Sequence, residues 1–167
     1  MAESDTVQAA QLRRRGASVP AAIACGGLIA GTIDIGSACL INQLPPRVIL
    51  HAIASGVLGA ASFRGGVSAE LVGLGLQWVM SLLIAALFVV ATARLAGLRR
   101  SWIGAGVAYG VVIYIVMTFV VVPLSAAPFH PHFIAVKIIE NLLAMILFGL
   151  IVAGAARAFL PAPPHGH

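Results

Sequence analysis

From Ala21 onward, long apolar stretches alternate with short polar or proline-containing breaks, and the stretches are continuous rather than patterned at period two. A helix needs about 20 apolar residues to cross a hydrocarbon core of about 30 Å. Four stretches meet that length, at about 21–41, 69–93, 101–122 and 132–159. Pro45-Pro46 closes the first and Pro123 the third, because proline brings no N–H donor and collides with the preceding turn. Barrel strands would alternate apolar and polar residues over about ten positions, and no such alternation occurs. In lipid the backbone must satisfy itself, so the pattern leaves helices. The expected fold is an all-α integral membrane four-helix bundle.

Between the first and second spans lies a shorter apolar run, about 46–59, which this reading takes as a short interfacial or re-entrant helix. Val48, Ile49, Ala52, Ile53 and Val57 share one face of it at helical spacing. Arg64-Gly65-Gly66 then makes a turn. Residues 1–20 are polar and read as a mobile or surface-lying cytoplasmic tail. The proline-rich end, 160–167, reads as a disordered tail.

Composition agrees with lipid as the solvent. The chain of 167 residues is 60% hydrophobic and 9% charged, with mean hydropathy +1.05. A soluble domain averages about 45–50% apolar and about 25% charged residues. The net charge of +5 does not point to nucleic acid, because the basic residues flank apolar segments. Arg13, Arg14, Arg15, Arg94, Arg99, Arg100 and Arg157 fall on one side of the expected topology; only Arg47, Arg64 and Lys137 fall on the other. The positive-inside rule then puts both termini in the cytoplasm. Asp34 interrupts what would be the apolar region of a cleaved signal peptide, so the first span is read as retained. Cys25 and Cys39 lie about 21 Å apart along one helix, beyond disulfide reach.

The sparse polar residues within the spans form the candidate site. Asp34, Gln77, Lys137, Glu140 and Asn141, with Tyr114 and Thr118, fall about 8–12 Å below the outer hydrocarbon edge. An aspartate or lysine at mid-membrane costs about 2.5–3.5 kcal/mol on insertion scales, so a paired network facing the bundle interior is expected. Asp34 would pair with Lys137, and Glu140 would accept from Gln77 or Asn141. Secondary candidates at the outer face are His51, Arg64, His130 and His132. The histidine spacing is a weak metal signal without converging geometry, and no histidine sits deep enough in the spans for haem; neither a metal nor another cofactor is expected. Motifs for phosphate-loop, serine-hydrolase, dithiol and zinc-protease chemistry are absent from the sequence, so no catalytic residue is assigned. Gly27-x-x-x-Gly31 and Gly106-x-x-x-Gly110 are small-residue ridges that let helices approach closely.

Three stretches carry a resemblance: Gly27-Leu28-Ile29-Ala30-Gly31, the Ala105–Gly110 segment, and Val122-Pro123-Leu124 running on to Ser125-Ala126. Together with His51-Ala52-Ile53-Ala54-Ser55-Gly56, the layout resembles uncharacterised bacterial inner-membrane proteins of YagU-like architecture. That resemblance implies a bacterial inner-membrane location and carries no chemistry. Three readings of function follow from the residues. The first is a non-catalytic accessory or assembly subunit, or a homo-oligomer, whose partners are lipids and protein. The second is a small transporter or channel with an ion or proton site in the outer half of the membrane. The third is an enzyme handling lipid or quinone.

Overall fold

The computed structural model describes residues 2–128 and 135–160, and for residues 2–18, 96 and 99 the backbone alone. All regular structure among the described residues is helical. Helix α1 spans Ala2–Asn42, and α2 spans Pro46–Leu58 and continues as a 3-10 segment, Gly59–Arg64. Helix α3 is Gly66–Arg94, and α4 is the short Ala96–Arg100. Helix α5, Trp102–Val116, passes through a π-helical segment, Met117–Val121, into the single turn α6, Val122–Leu124. Helix α7 is Ala135–Phe159. Five stretches are long and apolar enough to cross a membrane: Val19–Asn42, Pro46–Arg64, Gly66–Arg94, Trp102–Leu124 and Ala135–Phe159.

The second of these differs from the expectation of a short helix. Thirteen α-helical residues and six in 3-10 conformation reach about 32 Å at 1.5 and 2.0 Å per residue. The N-terminal segment is helical: α1 begins at Ala2 and runs through Pro20 without a break. Its alanines, glutamines, leucine and arginines are strong helix formers, which is why a polar segment read as a tail is helical.

The end of α1 shows how local chemistry fixes the first turn. Gln43 takes a positive φ of 52°, the left-handed conformation that commonly follows a helix. Its N–H donates to Leu40 O at 3.3 Å and that of Leu44 to Cys39 O at 3.2 Å, the crossed pair of a Schellman cap. Pro45 and Pro46 follow, with Pro46 opening α2, where its missing N–H costs nothing.

Contacts define the neighbours and their directions. Gly27 of α1 lies against Leu82 of α3, and Asp34 bonds Gln77, so α1 and α3 are antiparallel. Gly26 lies against Val152 and Ala155 of α7 while Lys137 reaches Ile41, so α1 and α7 are antiparallel as well. Gly106 and Gly110 of α5 seat on Gly149, Leu150 and Ile146 of α7. Helix α2 crosses α3 where Gly73 meets the Leu50 backbone. One end of the assembly therefore carries Arg94, Trp102 and Arg157, the arginine end; Pro45, Pro46 and Pro123 mark the opposite, proline end.

The buried core lies toward the arginine end. It comprises Ala22, Ala30, Ala85, Phe88, Val89, Ile113, Phe148, Val152, Ala153, Ala156 and Leu160. There Arg157 stacks over Trp102 at 5.2 Å from the ring centre, a cation–π contact. Toward the proline end the π segment and α6 contain no buried residue. Pro123 supplies no N–H to the helix, and the Val122 N–H bonds Met117 O five residues back, so the turn widens just before the proline.

The glycine contacts predict opposite outcomes for one substitution type. A Cβ at Gly110 would lie 2.5 Å from Ile146 Cα and Met145 O, whereas at Gly36 it meets nothing within 4 Å. Gly110→Ala should lower stability in detergent by about 1–3 kcal/mol through overpacking. Gly36→Ala should leave it unchanged or raise it, and equal effects would contradict the α5–α7 contact.

Candidate functional site

Asp34 stands one and two turns beyond Gly31 and Gly27 on α1. At about 100° per residue, it falls between the face carrying Gly27 and Gly31, which meets α3, and that carrying Gly26, which meets α7. It therefore turns inward. Gln77 Nε2 donates to Asp34 Oδ2 at 2.8 Å and to Gly31 O at 3.4 Å. A single amide thus uses both N–H groups to fasten α3 to α1. Beside it, Gly31 has no room for a side chain because Ser81 of α3 occupies the space.

Lys137 is not the partner of Asp34. Its Nζ donates to Ile41 O in the last turn of α1, the carbonyl that the Schellman pair leaves over. Last-turn carbonyls lack helical partners and carry the negative end of the helix dipole, so the ammonium caps α1 from α7. Ile41 is seven residues beyond Asp34, about 10 Å along the helix, which places Lys137 well outside the Asp34–Gln77 level. The expected single polar layer is resolved into two tiers. Glu140 Oε2 lies 3.4 Å from Lys137 Nζ, with the two side chains 39% and 40% exposed for lysine and glutamate. That oxygen is itself buried and accepts no hydrogen bond, so the contact is Coulombic and lacks hydrogen-bond geometry. Glu140 does not accept from Gln77 or Asn141 as expected: Gln77 is committed to α1, and Asn141 Nδ2 donates back to Lys137 O at 2.7 Å. Tyr114 and Thr118 are half-buried on α5 and its π segment.

Asn141 lies on the stripe of α7 that also holds Met145 and Val152. Val152 is fully buried, yet Asn141 is exposed. The same inward stripe is closed toward the arginine end and open toward the proline end.

Among the outer-face candidates, His51 Nε2 donates to Gly66 O at 3.2 Å, which requires the proton on that nitrogen. Its ring sits 6.2 Å from that of Phe63, so it ties α2 and its 3-10 continuation to the start of α3. Arg64 is exposed at the end of that segment. His130 and His132 lie outside the described residues. Among the described residues no group of three His, Cys, Asp or Glu side chains converges; Cys25 and Cys39 are free thiols.

One further polar group joins two helices. Tyr109 Oη donates to Ile84 O at 2.6 Å, and its ring rests 4.8 Å from that of Phe88, joining α5 to α3. A phenol in mid-span needs a partner for its hydroxyl, which was the available signal. Ser62 Oγ, in the 3-10 segment, is buried without a hydrogen-bond partner.

No family model, curated protein or solved structure matches the chain.

Two substitutions separate these contacts. Tyr109→Phe keeps the ring and removes the bond to Ile84, and should lower stability by about 0.6 kcal/mol, the average for interhelical bonds in membranes, and by no more than about 1.7 kcal/mol. Lys137→Met should increase hydrogen exchange at residues 41–44 while leaving residues 31–34 unchanged. Equal change at both would contradict separate tiers.

Proposed function

We propose that the chain crosses the bacterial inner membrane four times and serves there as a non-catalytic component, an accessory or assembly subunit or a homo-oligomer. Support for four crossings comes from the antiparallel register of α1 and α3. Asp34 is level with Gln77, so Asn42 and Gly66 belong at one end, and the segment joining them starts and finishes on the same side. Despite its length, Pro46–Arg64 is then a surface-lying or partly sunken element. With four crossings both termini share a side, and the arginine distribution makes it cytoplasmic. Reporters fused at the N- and C-termini should both report cytoplasm. Opposite locations would mean five crossings.

The non-catalytic reading rests on one observation: each polar side chain that bridges two spans is engaged in fastening one helix to the next. Gln77 joins α3 to α1, Lys137 joins α7 to α1, and Tyr109 joins α5 to α3. What remains for interaction is the outward surface, which suits lipid and protein partners. The layout resemblance to YagU-like proteins is compatible with this location. Native mass spectrometry of gently extracted protein should find a second copy or a co-purifying subunit; a lone protomer would contradict it.

A second reading, a small ion or proton transporter, draws support from the inward Asp34 and the exposed Asn141 above it. On that reading Asp34→Asn abolishes ion- or proton-dependent flux in proteoliposomes. On the preferred reading it leaves flux at background in both proteins.

A further inference from the structure

At the arginine end one tryptophan is built into a small platform. Trp102 opens α5, and its ring lies 3.9 Å from where a Cβ on Gly154 of α7 would stand. Arg157 follows on the same face of α7, three residues along, and lays its guanidinium over the ring at 5.2 Å from the centre. Stacking occupies the face of a guanidinium and leaves its in-plane N–H groups directed outward. Among the described residues those groups and the Trp102 indole N–H meet no protein acceptor.

Two more cations belong to the same place. Arg94 ends α3 and Arg100 ends α4, and α4 touches α3, α5 and α7. Arg100 is two residues from Trp102, so their Cα atoms lie within about 7 Å. All three arginines are exposed, and the ion pair found among the described residues is that of Lys137 with Glu140. The carboxylates are far off. Glu140 precedes Arg157 by seventeen residues and Glu70 precedes Arg94 by twenty-four, about 26 and 36 Å along their helices. Asp34 is held by Gln77, seventeen residues from Arg94. Glu3 and Asp5 come at least fourteen residues before Val19, which packs on the core, so they stand about 21 Å or more beyond it. Each gap exceeds the screening length of about 8 Å at physiological salt. Arginine in a last helical turn also balances the helix dipole, and Arg94 and Arg157 both stand there. That role needs charge alone and leaves the stacked platform unexplained.

We propose that Arg157 and Trp102, with Arg94 and Arg100 beside them, form a seat for the phosphate of an anionic phospholipid. The stacked guanidinium presents the fork that suits phosphate oxygens. Its neighbours add attraction, and the indole sits where acyl chains meet headgroups. The phosphate comes from lipid because the platform stands at the ends of three apolar spans and its floor is an aromatic ring. The seat rests on reading those spans as membrane-crossing and is independent of the accessory-subunit reading.

Trp102 is its own reporter once Trp78→Phe removes the other tryptophan. That full-length parent is placed in phosphatidylcholine vesicles carrying a minor share of brominated phosphatidylglycerol or brominated phosphatidylcholine. Quenching at low salt should favour the phosphatidylglycerol about fivefold, the weight of one arginine near an anionic surface. Arg157→Lys keeps the charge without the planar fork and should remove at least about half of that preference. Arg47→Gln with Arg64→Gln, at the proline end, should leave it intact. Equal quenching by the two lipids in the parent overturns the seat. Full preference in Arg157→Lys overturns it as well, since diffuse charge would then suffice, and so does an equal loss in the proline-end variant. Loss of the preference when inorganic phosphate replaces chloride at equal ionic strength gives the seat to a free anion and overturns the lipid. Should Trp78→Phe not fold, native mass spectrometry of the unaltered chain from mixed-lipid nanodiscs replaces quenching, and equal retention of the two lipids overturns the seat. Failure of the protein to enter vesicles is a separate result that removes the membrane reading beneath it.

Discussion

A polar side chain inside hydrocarbon has no water to turn to, so it must find its partner on protein. In this chain polar groups within the apolar helices find partners on neighbouring helices. The amide of Gln77 spans α3 and α1, the ammonium of Lys137 spans α7 and α1, and the phenol of Tyr109 spans α5 and α3. The seam between α5 and α7 has no such group and relies on Gly106, Gly110 and Gly149. Close approach there gains dispersion contacts, where the hydrophobic effect offers nothing between helices in lipid. Each device fixes the axial offset of a pair, and the offsets together define the arrangement.

The consequence is an uneven assembly. Toward the arginine end, phenylalanine, valine and alanine side chains close the interior, with Val89 and Val152 fully buried. Toward the proline end, the inward stripe of α7 opens at Asn141, and α5 loosens into its π segment. Helix α2 meets this looser end by crossing α3 at Gly73, through the His51–Gly66 bond, and by accepting the Ala126 N–H at Gly56 O.

Much of the helical plan was legible in the sequence, because apolar run length and proline breaks act within one segment. An inward Asp34 was expected from the cost of an unpaired carboxylate among apolar residues. The offset between helices was not. Charge alone suggested Asp34 with Lys137, but the α1–α7 register brings Lys137 to Ile41, one tier further out. That register is set by glycine contacts whose partners lie more than a hundred residues away, such as Gly26 with Val152. The extent of the second apolar segment escaped for another reason: a 3-10 continuation over Gly59–Arg64 has no distinctive periodicity. The tie made by Tyr109 is not legible in the sequence, because a tyrosine in an apolar helix is ordinarily an aromatic filler.

The account stands on the link between Asp34 and Gln77 as the fastening of α1 to α3. A double-mutant cycle with Asp34→Ala and Gln77→Ala, followed by reversible unfolding in detergent or bicelles, measures that link directly. The expected result is a coupling of about 0.6 kcal/mol, the average for interhelical bonds in membranes, with about 1.7 kcal/mol as its upper limit. Additivity of the two substitutions within about 0.3 kcal/mol would mean that these residues do not hold the helices together, and the register built on them would fall.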